Sequence, residues 1–170
     1  GVILLAETEE LARKVKRAFQ TRAVKKTYRA LVFGAPRNTK ETWTDSLRVE
    51  KRGDVKRAVT NRHAIATNAP SSAITEMRLL KRSKEGVSLL ELEPQTGKMH
   101  QLRVQCARRD LPIVGDATYG DFRSNREFAK VTGSKRLFLH AMTLELELVM
   151  DGETLSFHAE APLPEEFGWF

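Results

Sequence analysis

A chain of 170 residues is long enough for one domain with a sizeable core, and its 29 lysines and arginines against 22 acidic residues leave a formal charge of +7. That excess favours a polyanionic partner, nucleic acid before a membrane surface. No apolar run reaches the ~20 residues of a membrane-spanning helix, and the single cysteine excludes an internal disulfide, so no membrane contact and a cytoplasmic setting are expected.

The chain opens on the apolar run Val2-Ile3-Leu4-Leu5-Ala6, expected as a buried strand. Such a strand has little to cover it from the N-terminal side, so a piece of a longer protein is expected; a trimmed tag or processed terminus is the alternative. Thr8 with Glu9 and Glu10 reads as the capped start of a helix carrying Leu11, Val15, Ala18 and Phe19 at helical spacing. Residues 23–33 alternate as a strand ended by Gly34-Ala35-Pro36, with Tyr28, Ala30 and Val32 on one side. On that side Tyr28 is either a core residue or a tyrosine stacking on a base at a cleft. Residues 42–49 form a shorter strand candidate.

Residues 51–69 are polar and basic, with Lys51, Arg52, Lys56, Arg57, Arg62 and His63. A long loop is expected there, either merely solvated or an arm that tracks RNA phosphates. Residues 73–81 and 87–92 form a hairpin across Ser83-Lys84-Glu85-Gly86. Pro94 ends that second strand, and Thr96-Gly97 feeds a helix from near Met99 to near Asp110. Met99, Leu102 and Cys106 make its buried stripe. Arg103, about 100° round from Leu102, sits at the stripe's edge and requires an anionic partner. A glycine-punctuated loop over 112–121, a short helix over 124–131, and a hairpin of 137–148 with 154–159 follow. The tail is expected as a turn of helix docking Phe167, Trp169 and Phe170. The class is α+β, with mostly antiparallel strands.

The four histidines, 63, 100, 140 and 158, lack metal-ligand spacing, so no metal is expected. Cys106 reads as packing. No nucleotide-cofactor fingerprint is present. Asp116 and Asp121 fit turn chemistry or an acid–base role; a hydrolase built on Asp116 and His140 has only loop position behind it.

Four stretches in order resemble the RluA-type pseudouridine synthase family. They are Lys26-Thr27-Tyr28-Arg29-Ala30-Leu31-Val32, Gln95-Thr96-Gly97-Lys98-Met99-His100-Gln101-Leu102-Arg103-Val104, Pro112-Ile113-Val114-Gly115-Asp116 with Tyr119-Gly120-Asp121, and Arg136-Leu137-Phe138-Leu139-His140-Ala141. Glu93 to Lys98, Asp121 to Arg126 and the closing Phe167-Gly168-Trp169 are similar to the branch that contains tRNA pseudouridine synthase C. The resemblance implies a single α+β catalytic domain over 1–170, N-terminally incomplete, on a mixed, largely antiparallel, bent sheet flanked by a few helices. It implies conversion of uridine to pseudouridine in tRNA or rRNA by a monomer, without cofactor or metal. Tyr28 and Arg103 would be catalytic, Arg103 pairing with the nucleophilic aspartate. Leu102, His100, Gln101, Lys98 and Lys26 would contact substrate. Lys51, Arg52, Lys56, Arg57 and Arg62 would meet RNA backbone. The family's aspartate lies in a His-Arg-Leu-Asp segment shortly before the glycine that Gly1 matches, so the nucleophile is expected upstream of this chain and the piece alone inactive. A non-catalytic RNA-binding module is the alternative.

Overall fold

The computed structural model describes residues 1–21, 23–52, 55–60, 72–150 and 152–168. Seven strands, β1 (Val24–Phe33), β2 (Lys40–Arg52), β3 (Val55–Thr60), β4 (Ser72–Arg82), β5 (Val87–Pro94), β6 (Leu139–Met150) and β7 (Glu153–Glu160), form one sheet in the order β3-β2-β4-β5-β1-β6-β7. Every strand pairing among them is antiparallel. The helices are α1 (Glu9–Gln20), α2 (Gln101–Arg108) and α3 (Phe122–Thr132), with a 3₁₀ turn at Glu165–Gly168. None is long and apolar enough to cross a membrane.

Alternation in β1 sends its residues to two cores. Ala30 and Val32 join Trp43, Met77, Leu90, Leu92, Leu102 and Cys106 beneath α2. Leu31 joins Val87, Val114, Phe138 and Phe167 on the opposite face, with Phe128 of α3 against them. There Phe138 is the hub, its ring edge-on to Phe128 at 5.4 Å and to Phe167 at 5.3 Å. The α1 helix starts as its sequence dictates, Thr8 Oγ1 accepting from the Leu11 N–H at 3.2 Å, and lays Leu11, Val15 and Ala18 on Leu146 and Leu148.

Two expectations change. Residues 2–6 form no strand, and Ile3 and Leu5 lie 82% and 84% exposed; only Val2 joins the sheet's hydrogen bonding, its N–H donating to the Ala141 carbonyl at 2.9 Å. An apolar run becomes a buried strand only where a second layer covers it, and none does so here. The basic stretch is likewise not a simple loop. Lys51 and Arg52 end β2, and residues 55–60 return antiparallel as β3, pairing Lys51 with Lys56 and Glu50 with Arg57. Arg62 and His63 lie outside the described residues, as do Trp169 and Phe170.

Phe138→Ala is expected to lower unfolding free energy by about 3–5 kcal/mol, since it empties the centre of the second core. Urea denaturation of the variant checks this.

Candidate active site

The loop after α2 is fixed by β1. Where the β1–β6 pairing stops at Ala30 and Leu139, the chain around Ile113 takes over. The Phe33 N–H donates to the Pro112 carbonyl at 3.0 Å and the Val114 N–H to the Leu31 carbonyl at 2.9 Å. The loop then folds back tightly enough to demand glycine. Gly115 has φ of +76°, and a Cβ there would stand 1.7 Å from the Arg136 carbonyl oxygen; a Cβ at Gly120 would stand 2.2 Å from that of Asp116. Asn125 of α3 clamps the same loop, accepting from the Gly115 N–H at 2.7 Å and donating to the Asp116 carbonyl at 3.1 Å.

This loop supplies the carboxylate that Arg103 requires. Arg103 Nε donates to Asp116 Oδ2 and Nη2 to Oδ1, both at 2.7 Å. The acid is 1% exposed and the guanidinium 18%. Asp116 Oδ1 also accepts from the N–H groups of Thr118 and Tyr119 at 2.8 and 2.9 Å. Burial alone would push this carboxyl up; the Arg103 hydrogen bond and the two loop N–H groups outweigh it and hold the acid below its ordinary value. The hydrogen bonds it donates to Asp116 push the guanidinium up in turn. Arg103 thus has an anionic partner within the chain, one that the sequence did not identify. Turn chemistry for Asp116 is half of the answer, because the same carboxylate organises the turn and orients the arginine.

Tyr119 completes the cluster. Its ring lies under the guanidinium at 5.1 Å, its Oη accepts from the Ala58 N–H of β3 at 3.0 Å, and His100 Nδ1 is 3.0 Å from the same oxygen. His100 opens α2 in a left-handed conformation, φ 51°. Burial first, and the Arg103 charge second, push its imidazole down, against the pull of Asp116. The neutral ring that results can accept from the phenol.

The remaining candidates divide. Tyr28 sits where the β1–β6 register shifts, opposite Ala141 and Leu92, half-buried against the core that holds Leu102; burial pushes its phenol up. Lys26 is buried, its Nζ 5.3 Å over the Phe19 ring and beside Gly97, and burial pushes its ammonium down. Leu102 is 6% exposed within the core, and Lys98 is exposed. Gln101 differs from expectation. Its Oε1 accepts from Thr96 Oγ1 and the Lys98 N–H, and its Nε2 donates to the Ile74 carbonyl and Thr75 Oγ1, so it braces the helix start rather than offering an amide to substrate.

Lys51, Lys56 and Arg57 stand exposed on the β2–β3 hairpin. Cys106 is fully buried, its thiol pushed up to about 12 by burial, which fits packing. His140 turns Nε2 to the Ala161 carbonyl at 3.2 Å and packs on Phe167, not on Asp116, so the geometry gives the hydrolase pairing no support. Asp121 caps α3, accepting from the Arg123 and Ser124 N–H groups. Among the described residues no group of His, Cys, Asp or Glu is arranged to hold a metal. Tyr119, Asn125 and Gln105 received no role from the sequence; Tyr119 and Asn125 stood inside recognised stretches, whereas nothing local marks Gln105.

A profile of RNA pseudouridylate synthases matches residues 1–108. The chain is 33% identical over 184 residues to tRNA pseudouridine synthase C of Pectobacterium carotovorum subsp. carotovorum, covering 99% of this chain and 47% of that protein. It is 32% identical over 162 residues to ribosomal large subunit pseudouridine synthase C of Rickettsia prowazekii (strain Madrid E), covering 95% and 50%. The chain thus spans about half the length of these relatives. Human RNA Pseudouridylate Synthase Domain Containing 1 superposes with a TM-score of 0.69 at 29% identity, over 95% of this chain and 64% of that one.

Asp116→Asn is expected to destabilise the fold at neutral pH by removing the charge that Arg103 faces. Because the folded-state value is depressed, this stabilisation is fully present above the ordinary carboxylate range, ~4, and is lost as pH falls from there through the lower folded-state value. The gap in melting temperature between wild type and variant should therefore begin to narrow near pH ~4 and close only below the depressed folded-state value; thermal melts across pH check it.

Proposed function

The chain belongs to the RNA pseudouridylate synthase family, and on that premise we propose that the full-length protein isomerises uridine to pseudouridine in tRNA or rRNA, as a cytoplasmic monomer without cofactor or metal. In this reaction the base leaves the sugar through N1, turns, and rejoins C1′ through C5; the C5 proton is lost and N1 gains one. The change is redox-neutral. Arg103 carries this reading. Asp116 takes Nε and one terminal nitrogen, and the second terminal nitrogen is not part of that pair. A guanidinium oriented in this way can pair with a second carboxylate without having to be ordered at the moment of reaction.

That second carboxylate is the nucleophilic aspartate, in our reading supplied by residues preceding Gly1. Support comes from the place of Gly1, where a Cβ would meet the Ala141 backbone at 2.8 Å. Ala141 is the cross-strand neighbour of Tyr28, so residues preceding Gly1 would approach the site from beside the tyrosine. Tyr28 would stack on the extruded base and help move its proton, with Leu102 lining the floor and Lys26, His100 and Lys98 around it. Extrusion costs a few kcal/mol, offset by phosphate contacts from Lys51, Lys56 and Arg57 and, in sequence, Arg52 and Arg62. Asp116 acts as the positioning partner of Arg103.

The residues encoded just before Gly1 discriminate between enzyme and binder: His-Arg-Leu-Asp supports catalysis, another residue at the aspartate position supports RNA binding alone. In the full-length protein, Arg103→Ala and Tyr28→Ala are each expected to abolish pseudouridine formation while RNA binding stays largely in place. Mapping pseudouridines in tRNA and rRNA from cells lacking the gene, then complemented with each variant, identifies the target uridine. Normal modification in either variant overturns the assigned roles.

A further inference from the structure

A groove of about 690 Å³ runs between α3 and the loop residues Gly115 and Ala117, within the ~300–1,000 Å³ of small-molecule sites. Phe122, Arg126 and Lys130 line its helical wall and, four residues apart, share one face of α3. Lys135 closes one end. A single exposed aromatic is ordinary. Here the Phe122 ring, 61% exposed, stands at the head of a row of cations. Lys130 is paired with Glu127 at 3.0 Å, but among the described residues Arg126 and Lys135 have no ion pair. The groove on the other side of α3 is lined by Glu85, Glu127 and a single arginine, and lacks this excess of positive charge.

Resting on the function proposed above, we infer that this groove is a second nucleotide site, which takes the base of a residue neighbouring the target uridine against Phe122 and its phosphate on Arg126 and Lys135. An aromatic face with adjacent cations is the chemistry by which single-stranded RNA is held without sequence readout. The groove also shares a loop with the site. Its loop wall flanks Asp116 on both sides, and Asn125 ties that wall to α3 through Gly115 and the Asp116 carbonyl. The groove wall is therefore one residue in sequence, on either side, from the acid that orients Arg103. Phe122, Arg126 and Lys135 are exposed, so their replacement leaves the cores untouched.

The test uses the full-length protein in two assays: fluorescence anisotropy with labelled oligouridylate, and steady-state pseudouridine formation on RNA from cells lacking the gene. Phe122→Ala is expected to weaken oligouridylate binding and raise KM about tenfold, the scale of one lost base–aromatic stack, with kcat unchanged. Phe122→Trp should restore both. Arg126→Ala combined with Lys135→Ala should reduce the slope of log affinity against log salt by about 0.7, one neutralised single-strand phosphate. Wild-type binding by Phe122→Ala overturns the inference. So does full rescue by Phe122→Leu, which would show that no base stacks on an aromatic face there. Absence of pseudouridine formation by the wild type would overturn the proposed function, while the anisotropy measurement would still decide the groove.

Discussion

The bidentate contact between Arg103 and Asp116 is the constraint around which the site is arranged. Neither group is stable in its position without the other, since an almost fully buried carboxylate and a mostly buried guanidinium each carry a desolvation cost that only a charged, well-aligned partner offsets. To put the carboxylate there, the chain after α2 must turn within a few residues, which is why Gly115 and Gly120 occupy positions where no Cβ fits. To keep it there, the loop is stitched to the end of β1 on one side and to Asn125 on the other. Sheet, loop and helix thus converge on the orientation of one side chain.

The helix carrying that side chain is held from two sides by different chemistry. Leu102 and Cys106 anchor it in the main core. Gln101 and Gln105, one turn apart, hydrogen-bond to β4 and to Asp45 of β2. Asp45 in turn accepts from Arg109 at 2.8 Å and pairs with Arg108 at 3.3 Å. Such a saturated polar network fixes rotation about the helix axis in a way that apolar packing does not, because a small turn of α2 would break several directional bonds together.

Local patterns made much of this visible before any coordinates. The capped start of α1, the hairpin of β4 and β5, and the stripe of Leu102 and Cys106 each depend on residues close in sequence. The need of Arg103 for an anion was also legible, from its angle about the helix. The identity of that anion was not, because Asp116 is thirteen residues away across a loop whose path is set by the edge of β1. Failures at 2–6 and 51–60 share a cause. An apolar run is a strand only if something covers it, and a charged run is a loop only if nothing pairs with it; both are tertiary facts. The Nε2 groups of Gln101 and Gln105 were hidden for the same reason, since the acceptors they meet lie on β4 and β2.

The β2–β3 hairpin holds Lys51 directly across from Lys56. Two ammonium groups on one rung repel each other, and opposed like charges weaken a ladder. An anion arriving between them turns mutual repulsion into shared attraction and stiffens the ladder as it binds. In that sense this end of the β2–β3 ladder is less stable alone than it would be with an anion seated between the two ammonium groups.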